Sequence, residues 1–314
     1  MNQKLIKILG TKLSVFKKLC VNKIISFIII LFFHYALLAQ QDNDTIQHWK
    51  FKGNSALNFS QVALSNWAAG GENSIAGNAF FNTRLVYSKN KVSWETNLDV
   101  GYGQISQRLS EGKRYWKKTD DKINFSSKLG INAFNKNLFY SSLLSFKTQM
   151  LPGHKYVNDS VLISDFLAPA YLLFSVGLDY KYKKLSLFAG LLTGKLTIVN
   201  NDLLAEQGAF GVKEGNNQRL EAGGVIKLAY QDTLMKNITF DSNLELFSNY
   251  FENPQNIDVE WDVLMTFKVN KFISANLQTR LIYDHDTKIE NEDGSKEPKV
   301  QFKEMFGIGF AYDF

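Results

Sequence analysis

The sequence predicts an all-β protein: a transmembrane, antiparallel, up-and-down β-barrel of about twelve strands, preceded by a cleavable signal peptide. Three observations predict it. First, residues 300–314 read V-Q-F-K-E-M-F-G-I-G-F-A-Y-D-F, so Val300, Phe302, Phe306, Ile308, Phe310, Tyr312 and Phe314 share one parity, with Glu304 as its exception. Side chains alternate faces along a strand, so this segment has one greasy face and one small or polar face. A greasy terminal strand needs a partner, and a closed barrel in lipid supplies one by pairing the last strand with the first. Second, the connections alternate long and short along the chain, as they do when one barrel end carries turns and the other carries loops. Third, Tyr87, Trp94, Tyr140, Tyr180, Tyr182, Tyr230 and Tyr312 all fall on the apolar parity beside short turns. Amphipathic rings prefer the lipid headgroup level, so these residues predict an aromatic girdle, with Tyr102, Tyr250, Trp261 and Tyr283 as a weaker outer one.

The chain begins with a basic region up to Lys23, an apolar run over 24–38 and a small residue at Ala39. That order is an export signal, and the run is shorter than the roughly 20 residues a spanning helix needs. Cleavage after Ala39 is expected, giving a signal peptide over 1–39, a short periplasmic segment over 40–50 and the barrel over 51–314. Lys4, Lys7, Lys12, Lys17, Lys18 and Lys23 lie inside the leader, and the whole chain carries 36 basic and 30 acidic side chains for a net charge of +6. Without the leader the charges balance, so the basic pI belongs to the signal and no nucleic-acid partner is expected. Cys20, the only cysteine, also lies there, so the mature chain has no thiol. Disulfides, cysteine zinc sites and cysteine nucleophiles go with it. A hydrophobic content of 45% and a mean hydropathy of −0.18 exclude both a disordered chain and a multi-helix membrane protein.

Alternation begins after residue 50. Strands are expected at 51–62, 75–88, from 92 through 102, at 122–133, 138–149, around 172–182, at 185–196, 218–230, 238–250, 257–269, 273–283 and 300–314. The third is the clearest in the interior, with Val92, Trp94, Thr96, Leu98, Val100 and Tyr102 against Ser93, Glu95, Asn97, Asp99 and Gly101. In the seventh, Leu187, Ala189 and Leu191 alternate with Phe188, Gly190 and Leu192, so its facing is ambiguous. Long connections are expected at 65–74, 108–120, 151–165, 197–217 and 284–298, the last of them acidic.

Charged residues on the second parity would face the lumen: Glu95, Asp99, Arg219, Glu221, Asp241, Glu245, Asp258, Glu260, Asp262, Arg280 and Lys303. Charges inside a membrane domain are tolerated when they face water or one another. They either line a narrow aqueous path or pair off and plug a barrel of this modest width, and the sequence leaves both open.

Catalytic constellations are poor, and no enzymatic activity is expected. Asp284-His285-Asp286 is similar to the acid and histidine pairs of outer-membrane proteases, but a facing second pair is missing, and a solvated loop is the plainer reading. Gly190-Leu191-Leu192-Thr193-Gly194-Lys195 has glycines one residue too close for a phosphate loop, and Leu196 replaces the needed Ser or Thr. Asp286, Glu290, Glu292 and Asp293 miss the spacing of a calcium loop. No cofactor or metal is expected.

The segment Ser65-Asn66-Trp67-Ala68-Ala69-Gly70-Gly71-Glu72-Asn73-Ser74 resembles the most recognisable motif of an uncharacterised outer-membrane barrel family of the Bacteroidetes, a domain of unknown function. The similarity continues through Asp165-Phe166-Leu167-Ala168-Pro169-Ala170-Tyr171 and Gly208-Ala209-Phe210-Gly211-Val212-Lys213-Glu214-Gly215. The resemblance implies a barrel with an outer-membrane address, and it brings no substrate or catalytic residue. Trp67 among small residues suits a compact loop folding back toward the barrel mouth, with an exposed loop for an extracellular partner as the alternative. The expected partners are outer-membrane lipid and, during biogenesis, the barrel-assembly machinery; a small solute or an extracellular partner is open. The function expected is that of a porin-like narrow channel or a structural barrel, against a surface hydrolase or a binding and assembly module.

Overall fold

The computed structural model describes residues 48–63, 73–108, 114–155, 161–291 and 293–314. The expected signal peptide lies outside the described residues. So does most of the motif loop, Ser65 to Glu72; only its last two residues, Asn73 and Ser74, are described, and Ser74 starts a strand.

Twelve long strands form one closed sheet: β1 (Trp49–Val62), β2 (Ser74–Lys89), β3 (Val92–Arg108), β4 (Arg114–Asn132), β5 (Leu138–Thr148), β6 (Ala170–Tyr182), β7 (Leu185–Ile198), β8 (Gln218–Met235), β9 (Ile238–Asn249), β10 (Ile257–Lys268), β11 (Ile273–Tyr283) and β12 (Gln301–Asp313). Each pairs antiparallel with its neighbours in sequence, and β12 returns to β1. Closure removes the sheet's free side edges except at the loop end of the β1–β12 seam, which is how a sheet satisfies its backbone in lipid. Tight turns at 90–91, 133–137, 183–184, 236–237 and 269–272 gather at one end, and the remaining connections, most of them longer, at the other.

The closing seam is anchored by a ring over a glycine. Gly53 N donates to the Phe314 carbonyl at 2.7 Å, and Phe314 N donates to the Gly53 carbonyl at 2.9 Å. From there β1 and β12 run in register as far as Phe59 opposite Ile308. Beyond that point Ser60, Gln61 and Val62 remain paired with Ala76, Ile75 and Ser74 of β2, while their pairing to β12 stops. The seam is the shortest ladder in the barrel, and its gap lies toward the long-loop end.

Several boundaries differ from the sequence reading. Most of the loop expected over 108–120 is strand, because β3 and β4 pair from Val92–Ile131 out to Arg108–Arg114 and leave only five connecting residues. Polar side chains are no bar to a ladder once it has left the membrane. Trp49 and Lys50, assigned to a periplasmic segment, start β1, since Trp49 pairs with Tyr87. The acidic 284–298 connection holds a small ribbon, Lys288–Glu290 against Lys296–Pro298. The ambiguous facing of β7 has a physical cause: a bulge shifts the register between Val176 and Gly177, leaving Leu191 and Leu192 both exposed, at 68% and 74%.

At the long-loop end, two connections fold on one another. Ala168, Val199, Leu204, Ala205 and Val212 are buried together, with Leu162, Ala209 and Phe210 packed against them. The short helix α1 (Asp202–Glu206) starts at Asn201, whose side chain accepts from Leu204 N at 3.3 Å and donates to Asp165 Oδ2 at 3.1 Å. Asn200 N donates to the Leu167 carbonyl at 2.9 Å. Two segments singled out in the sequence, 165–171 and 208–215, thus meet in a single cap.

Candidate functional site

Directly opposed residues of antiparallel neighbours share a face, so the register assigns every strand residue to the outer wall or the lumen. On the outer wall stand Leu57 and Phe59, Trp94, Leu172 through Tyr182 on alternate positions, Leu220, Ile226, Trp261, and Phe302 through Tyr312 on alternate positions, all exposed, with Glu304 the one charge among them. At the short-turn end Trp49 lies 4.7 Å from Tyr87 and 5.8 Å from Trp94, ring centre to ring centre. Trp94 Nε1 donates to Ser127 Oγ at 2.8 Å, satisfying the indole while its ring stays on the wall. A closed barrel with an apolar exterior, an aromatic girdle and a charged bore is stable only with lipid outside and water or fixed charge within. This is an outer-membrane β-barrel.

The eleven sequence-chosen charges all lie on the lumen parity. Asp262 stands opposite Arg280, Arg280 opposite Lys303, Glu245 opposite Glu260, and Asp99 beside Lys122. Six further charged residues stand on the same lumen parity beyond those the charge pattern singles out: Lys122, Lys128, Lys147, Asp179, Lys195 and Lys227. Lys147, for example, shares parity with Ser141, Leu143 and Ser145 and alternates with Tyr140 and Phe146 along its own strand. That phase was the signal that could have found it.

Those partners make the lumen a network that crosses the bore. Lys147 Nζ on β5 lies 2.9 Å from Glu245 Oε2 on β9 and 2.7 Å from Glu260 Oε2 on β10. Lys227 holds Glu245 at 2.7 Å, and Arg280 holds Glu260 at 2.5 Å. Nearer the short turns, Arg84 on β2 donates to Gln231 on β8 at 3.3 Å, from the diametrically opposite wall. Nearer the loops, Lys303 on β12 reaches Asp120 on β4 at 2.5 Å, and Lys195 reaches Asp258 at 2.8 Å. At the mouth, Arg219 pairs with Glu221 at 3.2 Å and with loop residue Asp286 at 2.6 Å, and it donates to the Gly211 carbonyl at 3.4 Å, tying cap to wall. Asp241 lies farther toward the short turns and takes a 2.6 Å bond from Asn243.

The wall from β5 to β9 is different. Leu143, Leu173, Phe188, Val225 and Phe247 project into the lumen from five successive strands and pack together, buried. Gly190 makes room for them, since a Cβ there would sit 2.9 Å from the Phe188 ring and 3.0 Å from Val225. Lys195 Nζ lies 4.7 Å from the Phe247 ring centre, and Lys128 Nζ 6.0 Å from that of Phe188. The ammonium groups therefore bridge the apolar side of the bore and its charged side.

The Asp284-His285-Asp286 cluster is dispersed among separate tasks. Asp284 caps its own turn, accepting from Asp286 N at 2.9 Å and Thr287 Oγ1 at 3.0 Å, His285 Nδ1 is 3.4 Å from Tyr283 Oη, and Asp286 holds Arg219. In the outer ribbon, hydrogen bonds from the Ser295 hydroxyl and amide hold the Asp293 carboxyl below its usual range. The Gly190–Lys195 stretch is strand β7, as read from its spacing.

A family model described as a protein of unknown function (DUF3078) matches residues 59–154. Among solved structures, the chain is similar to an outer-membrane channel of Pseudomonas putida F1, at 10% identity and a TM-score of 0.38, covering 87% of this chain and 100% of that one. It is also similar to the translocator domain of the autotransporter NalP from Neisseria meningitidis, at 8% identity and a TM-score of 0.35, covering 87% and 90%. Outer membrane phospholipase A from Escherichia coli gives 11% identity and a TM-score of 0.32, covering 86% and 94%. These likenesses are loose and carry no functional weight. No curated protein matches significantly.

Proposed function

We propose that this outer-membrane barrel is held shut by its own side chains and acts as a structural barrel presenting a folded outer cap, rather than as an open porin. The observation that carries the reading is Lys147, which spans the bore to bind Glu245 and Glu260 on the far wall. A twelve-stranded barrel is only somewhat wider than those whose interiors side chains fill, so ion pairs and the five-residue apolar cluster suffice to occupy it. The list of lumen charges is, on this reading, a lock and not a selectivity filter. Planar-bilayer recording of the refolded protein tests it. Wild type should show no steady conductance, and Lys147→Glu, which sets three carboxylates together, should open a measurable one. A steady porin-sized conductance from wild type would sink the proposal.

A second reading, a narrow ion path, has one observation in its favour. Arg280 Nε and Asp262 Oδ1 stand 3.9 Å apart and are both buried without a hydrogen-bond partner among the described residues, so this charged pair is not fully locked. Small, cation-selective currents would favour it. The closed reading assigns no catalytic role.

We infer also that the chain belongs with the Bacteroidetes outer-membrane barrels carrying the Ser65–Ser74 motif. The support is the family match over residues 59–154, which spans that motif, together with the meeting of the other two resembling segments in the cap. Insertion by the barrel-assembly machinery fits the apolar, ring-bearing strand β12. Exchange of residues 65–74 for a Gly-Ser linker, followed by a count of folded barrel in the outer membrane, tests whether the motif serves folding or a surface partner.

A further inference from the structure

On the outer wall, toward the long-loop end, two adjoining hollows lie across β1 to β4. The lower one, about 320 Å³, is lined by Leu57, Phe59, Ile75, Gly77, Tyr102 and Trp116. It exists because Gly77 and Ala79 offer almost no side chain where their neighbours are large. Trp116 flanks it at 62% exposure, although it sits on the hairpin read from sequence as a polar loop. The upper hollow, about 230 Å³, shares Ile75 and adds Gln61, Asn73 and Arg114. Arg114 lies two residues nearer the barrel's outer end than Trp116 and has no ion-pair partner among the described residues. Exposed Lys117 follows, its ammonium donating to the Lys155 carbonyl at 3.3 Å.

We propose that these hollows together bind a phosphate-bearing lipid of the outer leaflet, an acyl chain in the lower groove and the headgroup phosphate at Arg114. The vertical order carries the argument. About ten to twelve residues separate the Trp49 girdle from Phe59 and Gln61 along β1, which at the tilt of a barrel strand covers roughly the 25 Å apolar band. The groove therefore ends near the outer interface, and Arg114 lies just beyond it. A neutral apolar molecule would leave the cation unused, and a soluble anion would leave the groove unused. Only a molecule with both a chain and an anionic head uses both, and a guanidinium matches phosphate oxygens two at a time. The site goes beyond the closed-barrel reading, since it lies on the outer wall and is indifferent to what fills the bore.

The test uses the full barrel in nanodiscs of neutral phosphatidylcholine, read by native mass spectrometry. The probes are dimyristoyl phosphatidate, dimyristoyl glycerol with the same chains, and inorganic phosphate. Wild type should retain phosphatidate about tenfold over the glycerol lipid, equivalent to about 1.4 kcal/mol. Arg114→Glu should erase that preference, Gly77→Leu should lower retention of both lipids, and Lys271→Glu, at the short-turn end, should change neither. Equal retention of the two lipids, an unaltered preference in Arg114→Glu, or displacement by inorganic phosphate alone would each overturn the site. Heat-modifiable gel migration checks folding of every variant; if Gly77→Leu does not fold, the contrast between Arg114→Glu and Lys271→Glu decides.

Discussion

Lys147 and Glu260 stand on strands five places apart around a ring of twelve, yet their charged atoms are 2.7 Å from one another. A contact of that reach exists only if the bore between them is bridged. It makes the lumen a joined body of charge, and it ties the mechanical integrity of the barrel to the same atoms that would otherwise define a channel.

Lys147→Met should therefore cost stability as well as closure. It leaves Glu245 and Glu260 facing one another, although each keeps a second cation, Lys227 and Arg280 respectively. The loss should fall near the lower end for a broken buried pair, about 3 kcal/mol. Urea titration of tryptophan fluorescence in lipid vesicles reads it, and adding Glu260→Gln should restore part. A change below about 0.5 kcal/mol, the size of an ordinary surface substitution, would show that the bridge contributes nothing.

Gly53 is a position where closure leaves no room for a side chain. A Cβ there would lie 2.1 Å from the Phe314 ring, so Gly53→Val must displace the ring that packs beside Phe51 and Tyr312. Overpacking of this kind costs about 1–3 kcal/mol. The folded, heat-modifiable band should form more slowly and in lower yield, and Phe314→Ala in the same chain should recover the yield. No recovery would place the fault elsewhere than the seam.

Ser60, Gln61 and Val62 have a ladder on one side only. Their amide protons and those of β12 from Gln301 to Gly307 should exchange with deuterium faster than those of the segment from Asn54 to Phe59. Uniform protection along β1 would mean that the seam closes further in the membrane.

The cap rests on a few buried side chains, of which Leu204 is 3% exposed. Leu204→Ala should remove about 2–5 kcal/mol from the cap alone. Limited proteolysis of intact cells should then cut within 199–217 sooner, while the barrel band persists. Simultaneous loss of the barrel band would show that cap and wall fold as one unit.

Much of this is legible in the sequence alone. The tenth strand announces its faces, because Val259, Trp261, Val263, Met265 and Phe267 interleave with Asp258, Glu260 and Asp262, and a period of two has only one meaning in a strand. The β7 bulge hid Phe188 and Lys195, because one inserted residue inverts the phase and the sequence carries no separate mark for it. The sequence pattern puts Trp116 in a loop, because hydropathy reports where a strand meets lipid and is silent where the ladder runs on into water.

Alternation, turn spacing and ring placement determined by themselves that this chain forms an antiparallel barrel with a greasy wall and a charged lining. Those are local properties, written in the order of neighbouring residues. Which charge meets which across the bore, that five apolar side chains crowd one lumen wall, and that β1 and β12 part beyond Phe59 were decided only by the closed ring. Closure brings together residues up to about 260 positions apart, such as Asn54 and Asp313, and no periodicity along a chain encodes the distance across a cylinder.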